Sequence, residues 1–135
     1  MVLDETIQKF SFMRYIGAFS VNKNSKQVIA SLNYAAQLLD GPDNMVVIFP
    51  QGKLHSNFVD EVKFEKGLSK IITSPASFQY VLAATFVENF EHKKPSVYVG
   101  FKTTDKNEID GLTQLQTAYQ QHYQSTKLQQ TRITV

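Results

Sequence analysis

SKQVIASLNYAAQLLDGPDNMVVIFPQG, residues 25–52, runs from a helical pattern through a stop to an unbroken apolar run. Val28, Ile29, Leu32, Ala35, Ala36 and Leu39 recur at the spacing of one helical face, with Ser25 placed to cap its start. Asp40, Gly41 and Pro42 stop that helix, because Gly accepts a left-handed cap and Pro cannot continue the hydrogen-bond pattern. Met45, Val46, Val47, Ile48 and Phe49 follow without polar alternation, which predicts a strand covered on both faces, as in a parallel sheet. Pro50 ends the run and Gln51, Gly52 and Lys53 make a turn. The expected fold class is α/β, a mixed, mainly parallel-type sheet flanked by helices.

Working outward, Leu3, Ile7 and Phe10 predict a short opening helix towards Met13, and Tyr15 to Val21, around Gly17, a strand that stops at Asn22, Lys23 and Asn24. Lys63 to Ile72 carries Phe64, Leu68, Ile71 and Ile72 on one side and Lys63, Lys66 and Lys70 on another, the pattern of an amphipathic helix with a basic face. Tyr80 to Val87 and Val97 to Phe101 read as buried strands joined by the polar loop Glu88 to Ser96, and they are expected to be neighbours. Glu108 to Tyr123 reads as a helix with a solvated, glutamine-rich outer face, and Lys127 to Val135 as a polar end. At 135 residues the chain has room for one domain.

Composition removes several function classes. A formal charge of +2 is too small for the field that nonspecific nucleic-acid binding needs. Zero Cys excludes disulfides, thiolate zinc sites and a Cys nucleophile, and is compatible with any redox compartment. The longest uncharged run, Ile71 to Val87, is interrupted by Thr73, Ser74, Pro75, Ser77 and Gln79 and does not read as a membrane span. Asp4 and Glu5 stand where a signal peptide would be basic and then apolar. A soluble or peripheral chain is expected. No Walker loop, G-x-G-x-x-G or G-x-S-x-G is present. No metal site is expected either, since His55, Asp60 and Glu61 share a loop without a second His.

In an α/β sheet, ligands gather beyond the carboxyl ends of the strands. Two turns, Gly17 to Lys23 and Phe49 to Ser56, join a Gly to a nearby Lys there. Gly allows close backbone approach and a Lys ammonium suits a phosphate oxygen. On spacing alone, ordinary turns with solvated lysines are the favoured explanation. The segment Gly17-Ala18-Phe19-Ser20-Val21-Asn22-Lys23, the Ser25 to Leu39 helix and Val46-Val47-Ile48-Phe49-Pro50-Gln51-Gly52 resemble, in order, the middle of the glycerol-phosphate and lysophosphatidate acyltransferase family. Its second block reads roughly G-x-F-x-x-x-R and its third F-P-E-G-T-R-S. Lys63-Phe64-Glu65-Lys66-Gly67 resembles the basic stretch after the third block, and Tyr80 to Val87 the apolar fourth block. The resemblance covers roughly Met13 to Phe101 and is carried mainly by Phe49, Pro50 and Gly52.

The resemblance implies that Gly17, Lys23, Pro50, Gln51, Gly52 and Lys53 grip the phosphate of a lipid acceptor, with acyl-CoA or an acyl-carrier protein as donor substrate and no bound cofactor. Lys23 and Gln51 stand where the family has Arg and Glu, and Lys53 and Leu54 where it has Thr and Arg; Ala83 and Ala84 replace the fourth block's prolines. The family's His-x-x-x-x-Asp, whose His deprotonates the acceptor hydroxyl, belongs well before the second block, yet no His precedes His55. The chain is therefore expected to be an incomplete acyltransferase-like domain, silent alone, whose bared apolar surface, Leu3 to Met13 first, drives homo-oligomer formation. His55 and Asp60 match the spacing on the wrong side of the family order; three His and six Asp produce it by chance about 0.13 times per chain. His92 and His122 read as structural or solvated. The location the resemblance implies is cytoplasmic, peripheral at the inner face of the membrane. The alternative function is a non-catalytic remnant that binds anionic lipid head groups or a partner subunit through Lys23, Lys53, Lys63, Lys66 and Lys70.

Overall fold

The computed structural model describes residues 2–3, 20–21, 25–53, 55–89 and 93–130. They fall into two compact units, Met1–Gly52 with Glu65–Ser77, and Lys53–Phe64 with Phe78–Val135.

In the first unit, β1 (Val2–Leu3) pairs in parallel with β2 (Ser20–Val21), and α1 spans Ser25–Leu38. Leu3 therefore lies in a strand, and the remainder of the expected opening helix is outside the described residues. The α1 face buries Leu32 and Ala35, while Ile29, at the edge of the stripe, is exposed. The helix ends as its last carbonyls are taken up locally: Gly41 N–H donates to Leu38 O, and Asn44 Nδ2 donates to the same oxygen at 2.9 Å. Gly41 is not left-handed. Its lack of a side chain makes room for Asn44 Nδ2, which a Cβ there would meet at 2.4 Å. A 3₁₀ turn (Lys66–Leu68) runs into α2 (Ser69–Ile72), and Leu68, Ile71, Ile72 and Ala76 complete the core.

Two expectations are corrected here. Met45–Phe49 is not a strand, and Met45, Val47 and Phe49 are 82%, 53% and 65% exposed, so the run is not covered on both faces. An unbroken apolar run is compatible with double burial but does not supply the elements that would cover it. The basic amphipathic helix over Lys63–Ile72 also fails. Its first half is extended because Phe64 N–H donates to Gln116 Oε1 at 2.9 Å, and helical turns begin only at Lys66.

The second unit is a hairpin on a helix. β3 (Gln79–Glu88) and β4 (Ser96–Asp105) pair antiparallel, and α3 spans Leu112–Gln130. The structure is thus mixed α/β, three helices and an antiparallel hairpin, and the mainly parallel sheet is absent among the described residues, the two-residue β1/β2 pair apart. Leu82, Ala84 and Phe86 alternate inward on β3, and Val81, Thr85 and Val87 point out, so these strands are buried on one face only. Phe86, 1% exposed, packs with Val62, Ala84 and Tyr123, and its ring lies 5.3 Å from that of Tyr123. Burying such a side chain contributes about 1.5–3 kcal/mol. The third helix starts at Leu112, later than Glu108, because Gly111 takes φ +89° and Gln114 Oε1 accepts from the Asp110 N–H.

Candidate functional site

The residues from Phe49 to Lys53 form a tight turn. Gly52 N–H donates to Phe49 O at 3.3 Å, and Gly52 takes φ +67°, a conformation a side chain resists. The turn is pinned from outside: Glu65 N–H donates to Pro50 O at 2.8 Å, and a Cβ on Gly52 would meet Glu65 Cγ at 3.1 Å and Oε1 at 3.2 Å. Gln51 is half-buried and Lys53 exposed. The backbone is held open on one side by Gly52, bounded on another by the Glu65 carboxylate, and followed by the exposed Lys53, which forms no ion pair among the described residues. Pro50 has no N–H and that of Gly52 is taken by Phe49 O, so what the turn offers an oxyanion is chiefly close approach at Gly52 and the one positive charge of Lys53. Gly17 and Lys23, the other half of the expected grip, lie outside the described residues.

His55 and Asp60 are both exposed, and no hydrogen bond or ion pair joins them. Asp60 is engaged elsewhere: its carboxylate pairs with Lys127 Nζ at 3.1 Å, and its carbonyl accepts from Gln120 Nε2 at 2.5 Å and Gln124 Nε2 at 2.7 Å. His122 is buried in the core, its Nε2 donating to Gly100 O at 3.0 Å, and His92 lies outside the described residues. Lys63 faces Glu61 at 3.9 Å on an extended segment, Lys66 sits in the 3₁₀ turn and Lys70 in α2, so no single helix face gathers the three. Among the described residues no group of three His, Asp or Glu could hold a metal, and no helix is long and apolar enough to cross a membrane.

One arrangement was not anticipated from the sequence. Glutamines 116, 120 and 124, one turn apart on α3, bond the backbone of 60–64: Gln116 and Gln120 accept from the N–H groups of Phe64 and Val62, and Gln120 and Gln124 donate to Asp60 O. Tyr123 OH adds a bond to Val59 O at 2.6 Å. Four helical residues rise about 6 Å and two extended residues span about 6.6 Å, so every second residue of the strap meets the next helical turn. The i, i+4, i+8 spacing was the available signal, and the expected solvated face of α3 is largely this seam. Comparison with family models, curated proteins and solved structures finds no match to this chain.

Proposed function

We propose that this chain belongs to a lipid acyltransferase of the glycerol-phosphate and lysophosphatidate type, and that the Phe49–Lys53 turn holds the acceptor's phosphate while an acyl group passes from a thioester to its hydroxyl. The observation that carries the reading is the Gly52 turn at φ +67°, pinned by Glu65 and followed by exposed Lys53. Gly52 permits close approach, and Lys53 supplies a point charge, without the bidentate grip of an Arg. The proton of the attacking hydroxyl must pass to a base, and His55 is a poor candidate because Asp60 is committed to Lys127. The base therefore comes from residues other than this pair.

Binding and turnover test it together. Lysophosphatidate should bind at least several-fold more tightly than the matching uncharged monoacylglycerol, and Lys53→Ala should erase the difference. With acyl-CoA and lysophosphatidate, lipid mass spectrometry should detect little product from this chain, as expected without a base that contributes about 10² to 10⁴ in rate. Robust turnover lost on His55→Ala would reinstate the His55 and Asp60 pair. The exposure of Lys53, Lys66 and Lys70, none of which forms an ion pair among the described residues, favours a second reading, a non-catalytic binder of anionic head groups. It expects binding that tracks the total negative charge of a vesicle and is indifferent to the acceptor's hydroxyl.

A further inference from the structure

We propose that the outer face of the β3–β4 hairpin is the surface on which two copies of this chain pair, face to face, about a two-fold axis lying crosswise to the strands. The register Gln79↔Asp105, Val81↔Thr103, Ala83↔Phe101, Thr85↔Val99 and Val87↔Val97 puts ten side chains on one face, opposite the one that carries Leu82, Ala84 and Phe86. A solvated antiparallel face is normally polar. Here six of the ten are apolar, the only charge is Asp105 at the open end, and Phe101, Val97 and Val81 are 68%, 58% and 57% exposed.

The occupant follows from size and charge. Ten-residue strands at about 3.4 Å per residue make a face about 30 Å long, offering roughly 500 Å² of accessible surface per copy. Two copies would remove about 1,000 Å² from water, the lower bound for a specific interface. At the open end of the hairpin Gln79 Nε2 donates to Asp105 Oδ1 at 3.1 Å; at the turn end Lys93 and Lys94 are exposed, while Glu88 is drawn to Asn57. Glu91 lies outside the described residues. An axis crosswise to the strands sets Asp105 of each copy beside Lys93 and Lys94 of the other, whereas an axis along them stacks like on like. An anionic lipid surface would draw in Lys93 and Lys94 but repel Asp105, whereas a second copy satisfies both ends. The pairing does not depend on the acyl-transfer reading.

Sedimentation velocity of the full chain from about 2 to 200 µM tests it. The expected result is a reversible dimer with a midpoint in the tens of micromolar, as its small area implies. Phe101→Glu should weaken it at least tenfold with the far-ultraviolet circular dichroism unchanged, and Val99→Thr, a milder change, should weaken it several-fold. Asp105→Lys should weaken pairing, and adding Lys93→Glu and Lys94→Glu should restore it. A chain monomeric at 200 µM, or a dimer indifferent to Phe101→Glu and Val99→Thr, would overturn the proposal. Failure of the charge exchange to restore pairing would overturn the crosswise axis. A monomer that floats with neutral phosphatidylcholine vesicles, and loses that on Phe101→Glu, would give the face to lipid instead.

Discussion

Gly100 sits on β4 where the buried Thr126 of α3 comes closest: a Cβ there would meet Thr126 Cγ2 at 2.5 Å and Oγ1 at 2.6 Å. Thr126 cannot yield cheaply, since its hydroxyl donates to His122 O at 2.8 Å and His122 in turn bonds Gly100 O. Gly100→Ala should therefore cost about 1–3 kcal/mol, read as a lower urea midpoint at unchanged slope. Gly111, also glycine and at φ +89°, has nothing within 4 Å of its would-be Cβ, so Ala there meets backbone strain alone. Tyr119 carries a second residue-scale consequence. Burial, and then the neighbouring Tyr123 phenol, push its pKa above the ordinary 10.0, and burial does the same for Tyr80. Below pH 10 both folded and unfolded chains hold the proton and stability is intact. Above it the unfolded chain ionises first, so stability falls as the pH rises towards the folded pKa. The urea midpoint should hold up to about pH 9 and fall from about pH 10 upward, and Tyr119→Phe should reduce the fall.

At the level of elements, the seam between α3 and residues 59–64 is held by side-chain amides, with Val62 seated in the core beneath it. Gln120→Ala removes the acceptor of the Val62 N–H and a donor to Asp60 O, and should cost about 1–3 kcal/mol. Hydrogen exchange at the Val62 amide should speed up well beyond that at Leu115 in the helix interior; equal changes at both would mean general loosening. The same seam explains what the sequence could and could not say. The first helix was legible because its apolar spacing and the Gly-Pro stop are local, and the two strands of the hairpin were legible as apolar runs on either side of a polar loop, though their burial on one face only was not. Lys63–Ile72 misled because its helical period is genuine, yet Phe64 is drawn into an extended strap by a glutamine 52 positions away. Met45–Phe49 misled for a different reason, since periodicity reports what a run could bury and not whether a partner covers it.

In the whole molecule, the chain divides into two compact units, and Pro50–Gly52 belongs to the first while Lys53 opens a segment of the second. The turn itself was readable, because Pro-Gln-Gly-Lys after an apolar run has few other conformations. Its anchor, Glu65, was not, since a backbone bond to Pro50 O leaves no trace in side-chain pattern. The His55 and Asp60 spacing says nothing of partners, and in the fold the Asp60 carboxylate pairs with Lys127. Amide ¹H–¹⁵N spectra recorded while lysophosphatidate is added test the proposed hold of the Phe49–Lys53 turn on an acceptor phosphate. Saturable shifts centred on Gly52 and Lys53 are expected, lost in Lys53→Ala and not reproduced by uncharged monoacylglycerol; shifts that leave Gly52 and Lys53 unmoved, or that the uncharged lipid reproduces, would refute it.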